Sequence, residues 1–325
     1  MAEKLLTVSI AAYNVADTLK TAVDSLIADE ETLRMLDVII VNDGSKDDTS
    51  RIAHAYADRY PDSVTVIDKP NGGYGSTVNA SLAAAKGKYF KLLDGDDWYV
   101  TENLPGFLQF LRDASADLIL SPYNEVRETP KRIDTHAEIG QNTVNLADAA
   151  WQNDVLLMHE VAVKTDALRR TGYQIAEHCF YTDIEFVFYA AAASGTVSRY
   201  AKPVYCYRLG VEGQSVSVQG IRRHYADYPV VARRIFGCYQ TMVATLRGGK
   251  KQILDAIVRN YTYHTYHAFL VLERPMEKRG DLMALDREFR SRYPDAYRLG
   301  FNSHLVKWLR KSRFLLYGLL WKMKV

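Results

Sequence analysis

The chain has 325 residues, of which 48% are hydrophobic, and a formal net charge of +2. Its length exceeds one average domain and predicts one large α/β domain, alone or with an appendage. The near-neutral charge provides no field that would attract a polyanion, so nucleic acid is not an expected partner.

The cysteines and the apolar segments indicate the cellular compartment of the protein. Cys179, Cys206 and Cys238 are odd in number and widely spaced, which fits neither a disulfide framework nor a CxxC zinc site. The first residues show no signal-peptide pattern. No apolar run approaches the roughly 20 residues that a membrane-spanning helix needs. We therefore expect a protein of the reducing cytoplasm.

The first 120 residues alternate short apolar runs with amphipathic segments. Apolar residues at three and four spacing predict helices, and the short buried runs between them predict strands. This repetition predicts a doubly wound sheet covered by helices, with ligands at the carboxyl ends of the strands. The predicted strands are Leu6–Ala11, Val38–Val41, Val64–Ile67, Tyr89–Leu93 and Leu118–Leu120, and the helices are Ala16–Ile27, Thr49–Tyr60, Ser76–Ala85 and Leu104–Ala114.

The pattern changes after Ser121. Residues 122–145 are polar and irregular, which is typical of a hairpin or loop, and residues 146–152 predict a helix. A strand at 156–163 and a helix from Thr182 follow. Two further strands, Thr196–Tyr200 and Val204–Arg208, close the predicted sheet domain. We therefore predict an α/β domain over residues 1–214 and a helical region over residues 215–325.

The segment Asp94-Gly95-Asp96-Asp97 directly follows an apolar strand. Three carboxylates in four positions repel one another, and a shared divalent cation would relieve that repulsion. Mg²⁺ and Mn²⁺ favour carboxylate oxygens and keep open positions that a diphosphate can occupy. A chain-reversing turn without any ligand is the alternative interpretation.

Polar loops follow the neighbouring strands. The first strand ends in Ala12, Tyr13 and Asn14, and the second ends in Asn42-Asp43-Gly44-Ser45. Because such ends meet in one cleft of a doubly wound sheet, Asp43 could accept hydrogen bonds from a base or a ribose. Asn71, Gly72 and Gly73 open a helix and would let a phosphate approach the backbone. Each loop could equally be a turn that leads into a helix N-cap.

Two later segments supply further candidates. Asp183 stands in the first turn of a predicted helix, where Thr182 and Glu185 could form a capping box without it. Asp183 is therefore the candidate general base, with proton abstraction from a sugar hydroxyl as its proposed task. Arg208 stands in a glycine-containing loop and could steady a diphosphate. A surface loop with a cap at Ser215 is the alternative there.

Taken in order, these segments resemble glycosyltransferase family 2, bacterial enzymes of GT-A fold that make cell-surface polysaccharides. Residues 8–14 resemble the opening strand and YN turn of the family, and residues 41–45 resemble its DDGS loop. Asn71-Gly72-Gly73 with Asn79 resembles the stretch before the metal motif. Asp94–Asp97 is similar to its DxDD motif, and Tyr181-Thr182-Asp183 stands in the place of its ED motif. Ala12, Asn42 and Thr182 depart from the usual proline, aspartate and glutamate.

The resemblance implies a GT-A domain and a role for each motif. Asp43 would contact the nucleobase, Asp94 the ribose, Asp96 a Mn²⁺ or Mg²⁺ ion on the donor diphosphate, and Asp183 would act as the base. The implied reaction is inverting transfer from a nucleotide sugar, a UDP-sugar by expectation, to a hydroxyl of a growing, lipid-linked surface glycan. The donor-binding candidates are Ala12, Tyr13, Asn14, Asp43, Asn71, Gly72, Gly73, Asn79, Asp94, Gly95 and Arg208.

Two other functions remain open from the sequence. A sugar-phosphate nucleotidyltransferase also uses an α/β fold, a metal and a glycine-rich loop, but it normally has a basic glycine-rich loop after its first strand. Ala11-Ala12-Tyr13-Asn14 stands there instead. A non-catalytic sugar-nucleotide binding protein is the third interpretation.

The C-terminal segment, residues 308–325, has five basic residues and no acid, with two tryptophans flanking an apolar centre. This composition is typical of a helix at the surface of an anionic membrane. We therefore expect a peripheral protein on the cytoplasmic face of the cell membrane. A helix packed on the core of the protein, or a homodimer contact, would explain the same residues.

Overall fold

The computed structural model describes residues 3–152, 155–210 and 215–322. Its main sheet has eight strands in the order β3-β2-β1-β4-β10-β6-β11-β9. Strands β1 to β4 are parallel, whereas β10 runs antiparallel to both of its neighbours, so the sheet is mixed. The strands are β1 Leu6–Ala12, β2 Leu36–Asn42, β3 Val64–Asp68, β4 Tyr89–Asp94, β6 Leu118–Leu120, β9 Val144–Asn145, β10 Val161–Lys164 and β11 Thr196–Arg199.

The register of the parallel strands brings three of their carboxyl ends together. Ala12 at the end of β1 lies opposite Asn42 at the end of β2, and Ala11 lies opposite Asp94 at the end of β4. Strands β1 and β2 are almost wholly buried, which explains their continuous apolar runs. The polar residues after these strands therefore share one edge of the sheet, as the sequence predicts.

A second sheet has four strands in the order β5-β12-β7-β8. Its strands are β5 Trp98–Tyr99, β7 Tyr123–Val126, β8 Pro130–Ile133 and β12 Tyr205–Arg208. Strands β7 and β8 form an antiparallel hairpin within the region predicted as a hairpin or loop. Because β5 follows Asp97 directly and pairs with β12, this sheet places Arg208 beside the carboxylate turn.

Two sequence predictions around residue 150 are wrong. Residues 146–149 form turns rather than a helix, and the strand predicted from residue 156 begins at Val161. The side chain of Asn145 accepts a hydrogen bond from the Ala147 amide over 2.9 Å, which competes with helix formation. Leu146, Ala149 and Trp151 are buried, so their spacing reflects contact with the core.

Seven helices of the described residues lie before residue 200: α1 Ala16–Asp24, α2 Glu30–Arg34, α3 Thr49–Arg59, α4 Tyr74–Ala84, α5 Leu104–Asp113, α6 Thr165–Arg170 and α7 Asp183–Ala193. Seven more follow residue 215: α8 Val218–Arg223, α9 Asp227–Met242, α10 Gly248–Leu270, α11 Pro275–Arg292, α12 Pro294–Leu299, α13 His304–Lys311 and α14 Tyr317–Lys322. Within the described ranges, none of these helices has the length and apolar character needed to cross a membrane.

Buried side chains of both parts belong to one hydrophobic cluster that extends from Leu5 to Leu320. Helix α10 contacts α7 of the sheet part as well as α9 and α11. The division at residue 214 stays a prediction, and its boundary falls on residues 211–214, which are outside the described residues.

Candidate active site

A cleft of about 500 Å³ lies at the carboxyl edge of the main sheet. Eight predicted residues line it: Ala12, Tyr13, Asp43, Asn71, Gly73, Asp94, Gly95 and Asp96. Ala11, Val15, Tyr74, Thr77, Cys179 and Phe180 complete the lining. Loops that follow β1, β2, β3 and β4 thus converge on one cavity, which is the usual place for a ligand in such a sheet.

The carboxylate turn begins at the end of β4. The Asp97 amide donates to the Asp94 carbonyl over 3.0 Å, and one carboxylate oxygen each of Asp94, Asp96 and Asp97 lies within 4.8 Å of the others. Burial raises the pKa of all three carboxyls, and the neighbouring acids raise that of Asp94 further. The turn thus holds carboxylates that would ionise more readily beside a cation.

These residues fit a divalent cation. The Asp94 Oδ1 atom is buried and has no hydrogen-bond partner among the described residues, and Asp96 faces the cleft. Both oxygens of Asp97 are occupied by protein donors, Tyr205 and the Arg208 amide. Asp96 and Asp94 are therefore the side chains that would hold Mg²⁺ or Mn²⁺, with Asp97 fixing the turn.

Arg208 lies against this turn rather than in the cavity lining. Its Nε atom donates to the Asp96 carbonyl over 2.8 Å, and its guanidinium lies 4.8 Å from the ring centroid of Trp98. Its position next to Asp96 is compatible with the predicted contact to a diphosphate, which stays a prediction. Its side chain contacts the backbone of the turn and the ring of Trp98.

Asp43 organises the glycine-rich loop before α4. Its carboxylate accepts hydrogen bonds from the amides of Gly72 and Gly73 over 2.9 and 2.8 Å, and from Lys69 Nζ over 2.7 Å. Its side chain is only 4% exposed. The predicted nucleobase contact stays a prediction, and the structure adds a second task for Asp43, which is to shape the loop that lines the cleft.

Other predicted donor contacts lie at different distances from the cavity. Tyr13 lines the cleft and is 49% exposed, so its ring is available for stacking. Asn14 has a left-handed backbone with φ 53° and binds Ser45 and Lys46, outside the lining. Asn79 exchanges hydrogen bonds with the backbone of Ile175 and is also outside it. Asn79 therefore joins α4 to the segment before Asp183.

Asp183 is the first residue of α7 and is partly exposed. Burial raises the pKa of its carboxyl, and its charge contributes to the raised pKa values of Asp94 and Tyr74. Asp183 is not among the residues that line the cleft, although Phe180, three positions before it, is. The capping-box interpretation is wrong. Thr182 makes no side-chain cap, and Glu185 instead accepts the Ala176 amide and pairs with Arg234.

The loop before Asp183 is held by the helical C-terminal region. His178 and Tyr181 both have left-handed backbones, with φ of 52° and 61°, a conformation that costs energy for residues with side chains. The Phe180 amide donates to Asp227 over 3.1 Å, and the Tyr181 ring stacks on Tyr228 with centroids 4.2 Å apart. These contacts offset the strain and fix the start of α7.

Sequence reasoning missed several contributors to this site, among them Tyr74, Thr77, Phe180 and Tyr205. Tyr74 and Thr77 lie one helical turn apart at the start of α4. Because α4 directly follows the glycine-rich loop that was predicted to line the cleft, the sequence did contain a signal for both residues. Phe180 is 44% exposed at the cleft. Tyr205 reaches the turn from a different sheet, and local sequence carries no signal for that contact.

The comparisons with known proteins agree with this arrangement. The sequence profile described as Glycosyl transferase family 2 matches residues 7–170, about half of the chain. The chain belongs to glycosyltransferase family 2. The matched residues include every motif from the YN turn to the carboxylate turn, whereas Asp183 and Arg208 follow the matched region.

Several similar proteins are themselves uncharacterised glycosyltransferases. RP339 of Rickettsia prowazekii is 41% identical over 95 residues, which are 29% of this chain and 28% of RP339. The MG025 homologue of Mycoplasma pneumoniae is 36% identical over 121 residues, 37% of this chain and 39% of that protein. EpsJ of Bacillus subtilis is 37% identical over 94 residues, which are 29% of this chain and 26% of EpsJ. The matches thus span well under half of these relatives.

Solved structures share the fold over most of the chain. S. aureus TarS 1-349 in complex with UDP-GlcNAc has a TM-score of 0.69 at 19% identity, over 90% of this chain and 82% of that one. The mannosyltransferase PcManGT from Pyrobaculum calidifontis, in complex with GDP-Man and Mn²⁺, has a TM-score of 0.54 at 16% identity. The match covers 98% of this chain and 87% of PcManGT. The predicted GT-A fold with a helical C-terminal region is confirmed.

Proposed function

We propose that the protein is a metal-dependent, inverting glycosyltransferase that moves a sugar from a nucleotide diphosphate sugar to a hydroxyl of a glycan. One observation carries this proposal: Asp96, Asp94 and Asp43 line one cleft of a family 2 chain, and Asp183 begins α7 three residues after Phe180, which lines the same cleft. A cation site, a loop for a nucleotide and a separate carboxylate base are what this reaction requires.

A UDP-sugar is the proposed donor. TarS was solved with UDP-GlcNAc, and the more distant PcManGT with GDP-Man and Mn²⁺. The greater likeness to TarS favours uridine, and the Mn²⁺ of PcManGT supports Mn²⁺ or Mg²⁺ here. In this chain Tyr13, Asp43 and Asn71 would surround the nucleobase side of the cleft, and Asp94 and Gly95 would adjoin the ribose and diphosphate.

Each residue then has a defined part in the reaction. A bound divalent cation would neutralise the charge that develops on the departing nucleoside diphosphate. Asp96 and Asp94 would hold that ion, and Asp97 would keep their turn in place. Asp183 would accept the proton of the acceptor hydroxyl as its oxygen attacks the anomeric carbon from the opposite face. One displacement of this kind inverts the anomeric configuration.

We further propose that the acceptor is a growing cell-surface glycan on a polyprenyl diphosphate carrier, at the cytoplasmic face of the cell membrane. The family resemblance supports the glycan, and the basic, acid-free C-terminal segment supports the location.

Transfer assays with UDP-sugars, Mn²⁺ and Asp183→Asn test the proposal. Loss of the base should reduce transfer by about 10² to 10⁴ while donor affinity stays near normal. Asp17→Asn is the matched control, because Asp17 is an exposed carboxylate in the first turn of α1. Near-normal transfer by Asp183→Asn would remove the base assignment.

Nucleotide binding tests the metal separately. Asp96→Ala should abolish the gain in UDP affinity that Mn²⁺ provides, and a chelator should have the same effect on the unaltered protein. Equal affinity with and without chelator would contradict a metal-dependent donor site. Tight donor binding without transfer to any acceptor would instead indicate a sugar-nucleotide binding protein.

A further inference from the structure

The two C-terminal helices, α13 and α14, have one buried and one exposed side. Leu305, Leu309, Phe314, Tyr317 and Leu320 are buried in the hydrophobic cluster. The Tyr317 hydroxyl also donates to the Phe269 carbonyl over 3.0 Å. The segment is thus anchored on the protein, which was one of the alternatives that its sequence left open.

The opposite side of the same segment is apolar yet exposed. Leu315 is 78% exposed and Leu319 is 55% exposed, and Trp308, Leu316 and Trp321 are also exposed. Met276 of α11, itself exposed, lies close to Gly318 on α14 and extends the surface. Large exposed apolar patches of this kind mark interaction sites. We call Leu315, Leu316, Leu319 and Trp321 the apolar face.

The charges carried by α13 and α14 have one sign, whereas neighbouring α11 adds the exposed Glu277 next to Met276. The last acidic residue of the chain is Asp295, and the exposed residues Lys311, Arg313 and Lys322 lie within or next to the apolar face in sequence. Arg310 does not contribute, because it is buried and paired with Asp286 over 2.8 Å. The face therefore combines leucines and tryptophan with exposed cations, the composition of an interfacial helix.

A cavity of about 570 Å³ adjoins the end of α14. Trp321 and Val218 provide apolar walls, and Lys322 provides a cation together with Arg222, which also pairs with Glu273 over 3.6 Å. Arg222 Nε donates to the Val271 carbonyl, which fixes the arginine at the wall. A cavity with this lining suits an amphiphile that carries a negative headgroup.

We propose that the apolar face docks on an anionic phospholipid bilayer and that the adjoining cavity receives a lipid phosphate. Leucine and tryptophan side chains would enter the headgroup boundary while Arg313, Lys311 and Lys322 remain in the negative surface potential. A second copy of the chain fits less well, because a two-fold contact through this face would bring like charges together. The proposal does not depend on the donor sugar or on the reaction.

Vesicle co-sedimentation of the full chain tests the docking, with phosphatidylglycerol vesicles compared against phosphatidylcholine vesicles. Leu315→Ser with Leu319→Ser should lower the partition coefficient on anionic vesicles by about tenfold or more. Both side chains are exposed, so the variant should fold normally, whereas truncation after Lys307 would remove buried core residues. Val144→Ser, at an exposed apolar position of β9, is the matched control.

Charge reversal separates the electrostatic contribution. Arg313→Glu with Lys322→Glu should lower partition on anionic vesicles by about tenfold or more, and raised salt should do the same to the unaltered protein. Competition by inorganic phosphate without any vesicle preference would show that the cavity takes free phosphate and would overturn the proposal. A dimer that the leucine variants convert to monomer, with no vesicle binding, would overturn it in favour of self-association.

Discussion

Tyr205 bridges the two ends of the carboxylate turn. Its hydroxyl donates to Asp97 Oδ2 over 2.6 Å and accepts the backbone N–H of Asp94 over 3.2 Å. Burial raises the pKa of Asp97 to about 7, and the hydrogen bond from Tyr205 opposes that rise by favouring the ionised form. Asp97 thus acts through the turn that it fixes, while Asp94 and Asp96 remain available to a ligand.

We expect Tyr205→Phe to loosen this turn. The change leaves the Asp97 oxygen and the Asp94 amide without their partner, which should lower the free energy of unfolding by about 1–3 kcal/mol. Loss of such a supporting contact should also weaken Mn²⁺ binding by about 10- to 100-fold. Chemical denaturation and a Mn²⁺ titration measure the two effects.

Tyr99→Phe is a close control for this prediction. Tyr99 packs near Tyr205, with ring centroids 6.1 Å apart, and is equally buried, but its hydroxyl has no hydrogen-bond partner among the described residues. Its removal should leave both measurements nearly unchanged. Equal effects of the two substitutions would show that Tyr205 contributes by packing alone.

Much of the cleft could be predicted from the sequence, because its residues directly follow strands with clear apolar patterns. Asp43, Asn71 and Asp94 were predicted because they follow parallel strands, whose carboxyl ends share one edge of the sheet. Tyr205 and Asp227 could not be predicted in this way. They reach the site from β12 and α9, so only tertiary packing brings them there.

The errors at residues 146–152 and 182–185 have a related cause. Leu146, Ala149 and Trp151 are spaced as in a helix, but Asn145 starts a turn instead. Thr182 and Glu185 have the spacing of a capping box, but Glu185 is drawn to Arg234 and the Ala176 amide. At Asn145 a local side-chain contact replaces the helix, whereas at Glu185 contacts outside the capping motif outweigh the local preference.

Asp43→Asn should disturb the glycine-rich loop. The carboxylate accepts from two amides and from Lys69, so an amide group in its place directs N–H atoms at one of these donors. We expect a loss of about 1–3 kcal/mol in unfolding free energy and weaker UDP binding. Calorimetric titration with UDP measures the affinity. Asp68→Asn, outside the cleft lining, is the control, and an equal loss of affinity there would contradict a specific role for Asp43.

Asp227→Ala should affect transfer more than donor binding. Asp227 accepts the Phe180 amide and so supports the strained loop that leads into Asp183. A displaced base should lower kcat by up to about 100-fold, with the donor KM little changed because Asp43 and Asp96 are untouched. Asp295→Ala removes a carboxylate from the first turn of α12 in the same way and is the control. A rise in donor KM alone would contradict the prediction.

Lys91 is a buried lysine in β4, the strand that ends at Asp94. Its side chain is fully buried in β4, and its Nζ atom donates to the carbonyls of His159 and Val161 over 2.6 and 3.2 Å. Burial lowers its pKa to about 7, with the charge of Glu160 acting in the opposite direction. The folded protein therefore binds the Lys91 proton more weakly than the unfolded chain does, and Lys91 makes stability depend on pH.

Lys91→Met should remove that dependence. Between pH 7 and 10.5 the unfolded chain holds a proton on Lys91 that the folded protein has lost, so the penalty diminishes as pH rises. The stability of the unaltered protein relative to Lys91→Met should thus increase with pH, by at most about 1.4 kcal/mol per unit. Urea denaturation between pH 7 and 9 measures this difference. Lys20→Met, on the exposed side of α1, is the control, and its stability should depend on pH as that of the unaltered protein does. Parallel profiles for the unaltered protein and Lys91→Met would mean that Lys91 stays protonated in the fold, held by the two carbonyls.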